Sequence, residues 1–227
     1  MAKKIKDTDY LVISARVKAM ETGLLTRERM EQILEAKTDE EAAKILQECG
    51  YPELDAADPE AMDAALSAAR EATLSDVMDG APEPRYIELF KLKYDYHNVK
   101  ALLKAEAMGT SADRMLMDMG RVSTAVLKEA VRSGELDSLP PMLASAVAEA
   151  REILDTTRDP QLSDIALDRW TYADMAALAE EVNSDFLRGY VAVQIDAANL
   201  RALVRTVRMG KSPEFLRGVL MEGGEVA

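Results

Sequence analysis

Residues 91–109 read KLKYDYHNVKALLKAEAMG, and residues 192–210 read AVQIDAANLRALVRTVRMG. Shifted by 101 positions, the two segments agree at Asp95/Asp196, Asn98/Asn199, Ala101/Ala202, Leu102/Leu203, Met108/Met209 and Gly109/Gly210. Val99/Leu200, Lys100/Arg201, Leu103/Val204 and Lys104/Arg205 keep their chemistry. Six identities over residues 95–109 compare with about one expected by chance, which marks an internal repeat. Both copies keep Asp-x-x-Asn followed by an aliphatic residue, a base, Ala-Leu, another aliphatic residue and another base. Asp and Asn three apart share one helix face. The pattern therefore predicts a polar pair at a helix–helix seam, hydrogen-bonded across it and fixing its register. Downstream, each copy continues into a short helix, after which Met119-Gly120 is matched with Glu222-Gly223.

Outward from the repeat, apolar residues recur at helical spacing almost everywhere. Tyr10, Ile13, Val17 and Met20 form one face of a first helix, which Gly23 ends. Thr26 caps a second. Thr38 with Glu41 is a capping box opening a third, with Ala42, Ile45 and Leu46 on its buried side. Asp58-Pro59 places a cap before a proline whose missing amide costs nothing at the first helical position, and that helix runs towards Met78. Pro82 and Pro84 break the chain. The spacing then predicts helices over about 86–108, 113–119, 122–133, 142–156, 162–178 and 184–209, and a short last one after Ser212-Pro213. No segment alternates in the manner of a strand, and the fold class is all-α.

Composition agrees. Hydrophobic residues make up 48% of 227 residues, enough for a real core, and aromatics only 5%, which favours helix over sheet. The net charge of −13 argues against a general nucleic-acid or membrane-surface binder, although local basic patches remain compatible with it. The single cysteine, Cys49, cannot close an internal disulfide, which fits a reducing cytosol, and it reads as a small apolar filler. The weakly polar stretch 139–148 is far short of a bilayer span, so no direct membrane span is expected.

Catalytic patterns are missing. One histidine, His97, rules out a His-Glu-x-x-His zinc site, and Ala198 stands opposite it in the second copy. His97 reads more simply as solvated or locally hydrogen-bonded. Gly210-Lys211-Ser212 resembles the end of a phosphate-binding loop, but Arg205 stands where its first glycine should be. No catalytic, cofactor-binding or metal residue is assigned. The thirteen methionines read mainly as core. Basic residues gather on the repeated helices: Lys91, Lys93, Lys100 and Lys104, then Arg201, Arg205, Arg208 and Lys211. They read either as a solvated face or as a rim meeting an acidic partner.

The stretch YLVISARVKAMETGLLTRERMEQILEAKTDEEAAKIL (residues 10–46) and the string KYDYHNVKALLKA (residues 93–105) together resemble the C-subunit family of the A/V-type ATP synthases, whose eukaryotic vacuolar ATPase member is the d subunit. The resemblance covers essentially the whole chain. It implies helical domains related by a pseudo-threefold axis, two of them here, over residues 1–125 and 126–227, with the third module absent. On this expectation the chain is a fragment or a shortened homologue, with an exposed apolar edge where a third domain would pack. The resemblance further implies a non-catalytic connector in the cytoplasm, peripheral to the membrane, without a cofactor. Its partners would be the central-stalk axle subunits and the membrane rotor ring, and its work to pass torque during ATP-linked proton or sodium transport. The residues by themselves also fit a soluble α-helical repeat adaptor or scaffold unrelated to rotary motors. Asp95, Asn98, Lys100, Asp196, Asn199 and Arg201 are the repeated structural signature under the first reading.

Overall fold

Side-chain caps open most of the helices that the sequence marks. In the computed structural model, which describes residues 6–55 and 58–226, the helices are α1 (Leu11–Glu21), α2 (Arg27–Glu35), α3 (Asp39–Glu48), α4 (Pro59–Gly80), α5 (Arg85–Met108), α6 (Thr124–Ser133), α7 (Pro141–Thr157), α8 (Pro160–Glu181), α9 (Asp185–Arg208) and α10 (Pro213–Val219). No strand occurs among the described residues. Thr26, Thr38, Asp58, Ser123, Asp159, Ser184 and Ser212 each accept a hydrogen bond from a first-turn amide. These bonds satisfy donors that the helix cannot satisfy itself. At α3 the Glu41 carboxylate also reaches back, accepting from the Lys37 amide at 2.9 Å.

The chain divides between Ile87 and Glu88 into two compact units, so the division falls inside α5. In the first unit, α1 packs on α4 and α2 on α3. Tyr10 meets Tyr86 edge-on, with ring centroids 6.3 Å apart. A methyl group on Gly80 would come within 2.7 Å of the Ile13 side chain, so α1 and α4 approach through a residue without one. In the second unit, α7 packs on α8, α8 on α9, and α9 on α10. Its core is built from Leu89, Leu92, Val99 and Leu103 of α5, Leu127 of α6, Leu143 and Val147 of α7, Leu167 of α8 and Ile195 of α9. Nine residues spread around α5 are buried, as expected of a central helix.

The repeat extends further than the opening segments. Asp58-Pro59 and Asp159-Pro160 lie 101 apart and open α4 and α8, each 22 residues long. Asp63/Asp164, Ala65/Ala166 and Leu66/Leu167 keep the same offset. After α5 and α9, Gly109 and Gly210 take φ values of +63° and +62°, left-handed turns that favour glycine.

One predicted helix is corrected. Over 113–119 only Asp113–Met115 coils, as a 3-10 turn, and Leu116 is extended. The physical reason lies in Met117, whose backbone amide and carbonyl are both given to a side chain of α5 and so cannot serve a helix.

Candidate functional site

The Asn of each repeat pairs with a piece of chain, where the sequence suggests a second helix. Asn98 donates from Nδ2 to the Met117 carbonyl and accepts at Oδ1 from the Met117 amide, both at 2.8 Å. Asn199 treats Met221 the same way, at 2.9 and 2.8 Å. Each carboxamide thus stands in for one peptide unit of a neighbouring strand, satisfying a loop that has no strand beside it. The Asp one turn earlier takes the next residues of that loop. Asp95 accepts from the Val122 amide at 3.1 Å, while Asp196 accepts from Glu225 at 3.2 Å and Val226 at 3.0 Å. A Cβ on Gly120 would lie 2.0 Å from Asp95 Oδ1, and one on Gly224 would lie 2.1 Å from Asp196 Oδ1. The glycine that matches Gly120 is therefore Gly224, not Gly223. The tails are offset by 104 positions and align as Met117-Asp-Met-Gly-Arg-Val against Met221-Glu-Gly-Gly-Glu-Val. Three extra residues between α9 and this loop account for the mismatch in the sequence alignment.

Around the first clamp lies a buried network that the sequence reading missed. Arg121 donates from Nε to Asp95 at 3.1 Å and from Nη2 to Asp174 of α8 at 2.8 Å. The hydroxyl of Tyr96, itself buried, donates to Asp174 at 3.1 Å. Burial pushes the Asp95 carboxyl up, against the opposing pull of the Val122 amide and the Arg121 guanidinium. Burial and the Asp174 carboxylate push the Tyr96 phenol well up, so it remains a donor. Burial alone would lower Arg121, but Asp174 and Asp95 outweigh it and hold the guanidinium charged. The second copy has Ala197 and Glu225 at the places of Tyr96 and Arg121, so no repeat signal in the sequence could reveal this network.

The basic residues separate into engaged and free. Lys100 pairs with Asp168 and Lys104 with Asp164, both at 2.5 Å, tying α5 to α8. Lys93 lies over the Tyr94 ring and Lys211 over Phe215. Lys91 is half-buried. Arg201 donates from Nε to the Ala197 carbonyl at 3.0 Å. Among the described residues neither Arg205 nor Arg208 enters an ion pair, and both are exposed. The ring of His97 meets the Met115 carbonyl at 2.9 Å, a local contact in the same loop. A cavity of about 330 Å³ between α8, α9 and α10 is lined by Asp168, Tyr172, Arg201, Arg205, Thr206 and Phe215 among others. Its carboxylate is already committed to Lys100. The second unit thus combines paired charges, clamped loops and a bare helix face.

The family described as ATP synthase (C/AC39) subunit matches residues 13–227. The chain belongs to that family. Relatives in the C/AC39 family include the C subunit of the V-type sodium ATPase of Enterococcus hirae, 25% identical over 96% of this chain and 67% of its own length. The C subunit of the V-type ATP synthase of Thermus thermophilus is 30% identical over 58% of this chain and 43% of its own. The C subunit of the A-type ATP synthase of Methanocaldococcus jannaschii is 23% identical over 96% and 59%. The matches thus span between about two fifths and two thirds of these C/AC39 relatives. Among the described residues no helix is long and apolar enough to cross a membrane.

Proposed function

We propose that this chain is a non-catalytic connector of a rotary ATPase, placed in the central stalk between the axle subunits and the membrane rotor ring. One observation carries the reading: the C/AC39 match runs through nearly the whole chain, and its relatives are the C subunits of V-type and A-type ATPases and synthases. The physical character of the second unit supports it. A part that passes torque must not dissipate it in soft loops, and here each loop after a long repeat helix is fixed by a two-point carboxamide bond and a carboxylate.

In this reading the repeats are modules over residues 1–125 and 126–227, each contributing one clamp. The rim facing an acidic partner draws on Lys91, Lys93, Lys104, Arg205, Arg208 and Lys211. Of these, Arg205 and Arg208 are exposed and outside any ion pair among the described residues, whereas Lys104 already serves Asp164. The protein works in the cytoplasm and reaches the membrane through the complex.

The test is reconstitution. Co-expressed with the axle and ring subunits of its own ATPase, the tagged chain should purify with both. Omitting it should leave ATP hydrolysis by the head while abolishing ion pumping. Pumping that persists without it, or purification of the chain free of both partners, would overturn the connector reading and favour an unrelated adaptor.

A further inference from the structure

Met119 sits between the two anchor points of the first clamp. Two residues before it, Met117 is held at both its amide and its carbonyl by Asn98. Two and three residues after it, the Arg121 side chain and the Val122 amide are held by Asp95. Asp95 and Asn98 belong to one turn of α5, so the chain over 117–122 is closed against that helix at both ends. Exposure follows the closure. Met115 and Met117 are 48% and 38% exposed, whereas Met119 is 4% exposed. The Met119 thioether therefore reaches water only when an anchor lets go, in a local opening rather than an unfolding of the chain. The second copy is a natural control, since Gly223 stands at the place of Met119 and Met221 at that of Met117. The second clamp closes in the same way, through Asn199 and Asp196, with glycine at that place.

We propose that Met119 is a redox switch on the first clamp, oxidised to the sulfoxide by hydrogen peroxide when the turn opens and then barring the turn from closing. The sulfur attacks one peroxide oxygen and the O–O bond breaks. The departing hydroxide takes the proton of the attacked oxygen and leaves as water, so sulfur loses two electrons and peroxide gains them. A thioether is apolar and suits a closed site, whereas a sulfoxide oxygen is a strong acceptor that needs a donor or water. The side-chain donors that hold the turn are already engaged: Asn98 Nδ2 with Met117, Nε and Nη2 of Arg121 with Asp95 and Asp174, and the Tyr96 hydroxyl with Asp174. Met115 and Met117 differ, since their sulfoxides face water at the surface and leave the clamp shut. Opening at the Arg121 anchor also releases Asp174, so the tie between this turn and α8 is lost with it. The open turn displays the sulfoxide to a methionine sulfoxide reductase, which restores the thioether at the expense of a dithiol. The switch rests on the first clamp alone and does not depend on the rotary-motor reading.

The full chain is treated with hydrogen peroxide, and peptide mass spectrometry follows each methionine. Met115 and Met117 should oxidise at least about tenfold faster than Met119. Asn98→Ala or Arg121→Gln, each releasing one anchor, should remove most of that lag, and Asn199→Ala at the second clamp should leave it unchanged. If Asn98→Ala fails to fold, Arg121→Gln carries the kinetic test. Hydrogen exchange reads the clamp itself. Once Met119 is oxidised, the Met117 and Val122 amides should lose protection about tenfold or more, while those of Met221 and Val226 keep theirs and the circular dichroism is unchanged. Treatment with a methionine sulfoxide reductase should restore the protection. Met119→Leu should stay protected through the same dose of peroxide, whereas Met115→Leu with Met117→Leu should not. Met119 oxidising as fast as Met117, or not at all short of unfolding, overturns the switch. So does oxidation of Met119 that leaves both amides protected, or loss of protection in Met119→Leu.

Discussion

Asn98 fills the place of a missing backbone neighbour, and this makes it costlier to replace than a surface amide. Asn98→Leu leaves the amide and carbonyl of Met117 without a partner beside a buried position. It should lower unfolding stability by about 2–4 kcal/mol in urea titrations. Asn199→Leu strands the same two groups at a half-buried site, where water substitutes in part, and should cost about 1 kcal/mol. Equal losses would mean that burial does not set the cost. Gly120→Ala drives a methyl into the Asp95 carboxylate and should cost about 1–3 kcal/mol. Asp95 also has a pH signature. Burial raises its carboxyl, so in the pH window between the ordinary and the raised value the folded chain holds a proton that the unfolded chain has released. The stability owed to that group is complete below the ordinary Asp value of about 4 and falls as pH rises through the folded value. Asp95→Asn removes the titration while keeping the shape. Wild-type stability minus variant stability, from urea midpoints at several pH values, should therefore decline as pH rises from about 3 towards neutrality.

At the scale of elements, helices were legible where periodicity and caps coincide. Asp58-Pro59, Asp159-Pro160 and Ser212-Pro213 each open a helix because a carboxylate or hydroxyl accepts from the first-turn amides and proline needs no acceptor for an amide it lacks. The stretch 113–119 has comparable apolar spacing yet coils only at Asp113–Met115, because a side chain 19 residues earlier claims the Met117 peptide. Local propensity carries no information about a competitor that distant. The α5–α8 contact shows the same limit: both lysines were visible as a basic face, but their partners Asp164 and Asp168 could not be assigned without the fold. Since these pairs are partly solvated, double-mutant cycles on Lys100/Asp168 and Lys104/Asp164 should each return about 0.3–1 kcal/mol, and less in high salt.

At the scale of the whole molecule, equivalent residues of one repeat have opposite fates. Leu103→Ala empties a packed site and should cost about 2–5 kcal/mol, whereas Val204→Ala at the matching position of α9 should change stability by no more than about 0.5 kcal/mol. Thermal melts of the two variants decide this directly, and similar losses would show that α9 is covered in solution.

The residue order alone determined the all-helical class, the positions of the caps and the duplication of Asp-x-x-Asn, because helix periodicity, cap chemistry and repeats are written within a few residues of one another. It did not determine what the Asn pairs with, the match of Gly120 with Gly224, or the Tyr96–Asp174–Arg121–Asp95 network. Those depend on groups as much as 78 residues apart that meet only when the chain has closed, and on the burial that closure imposes. Which of two repeat-related helices becomes core and which stays bare was likewise decided by tertiary structure, since α8 lies on one and no described helix lies on the matching face of the other.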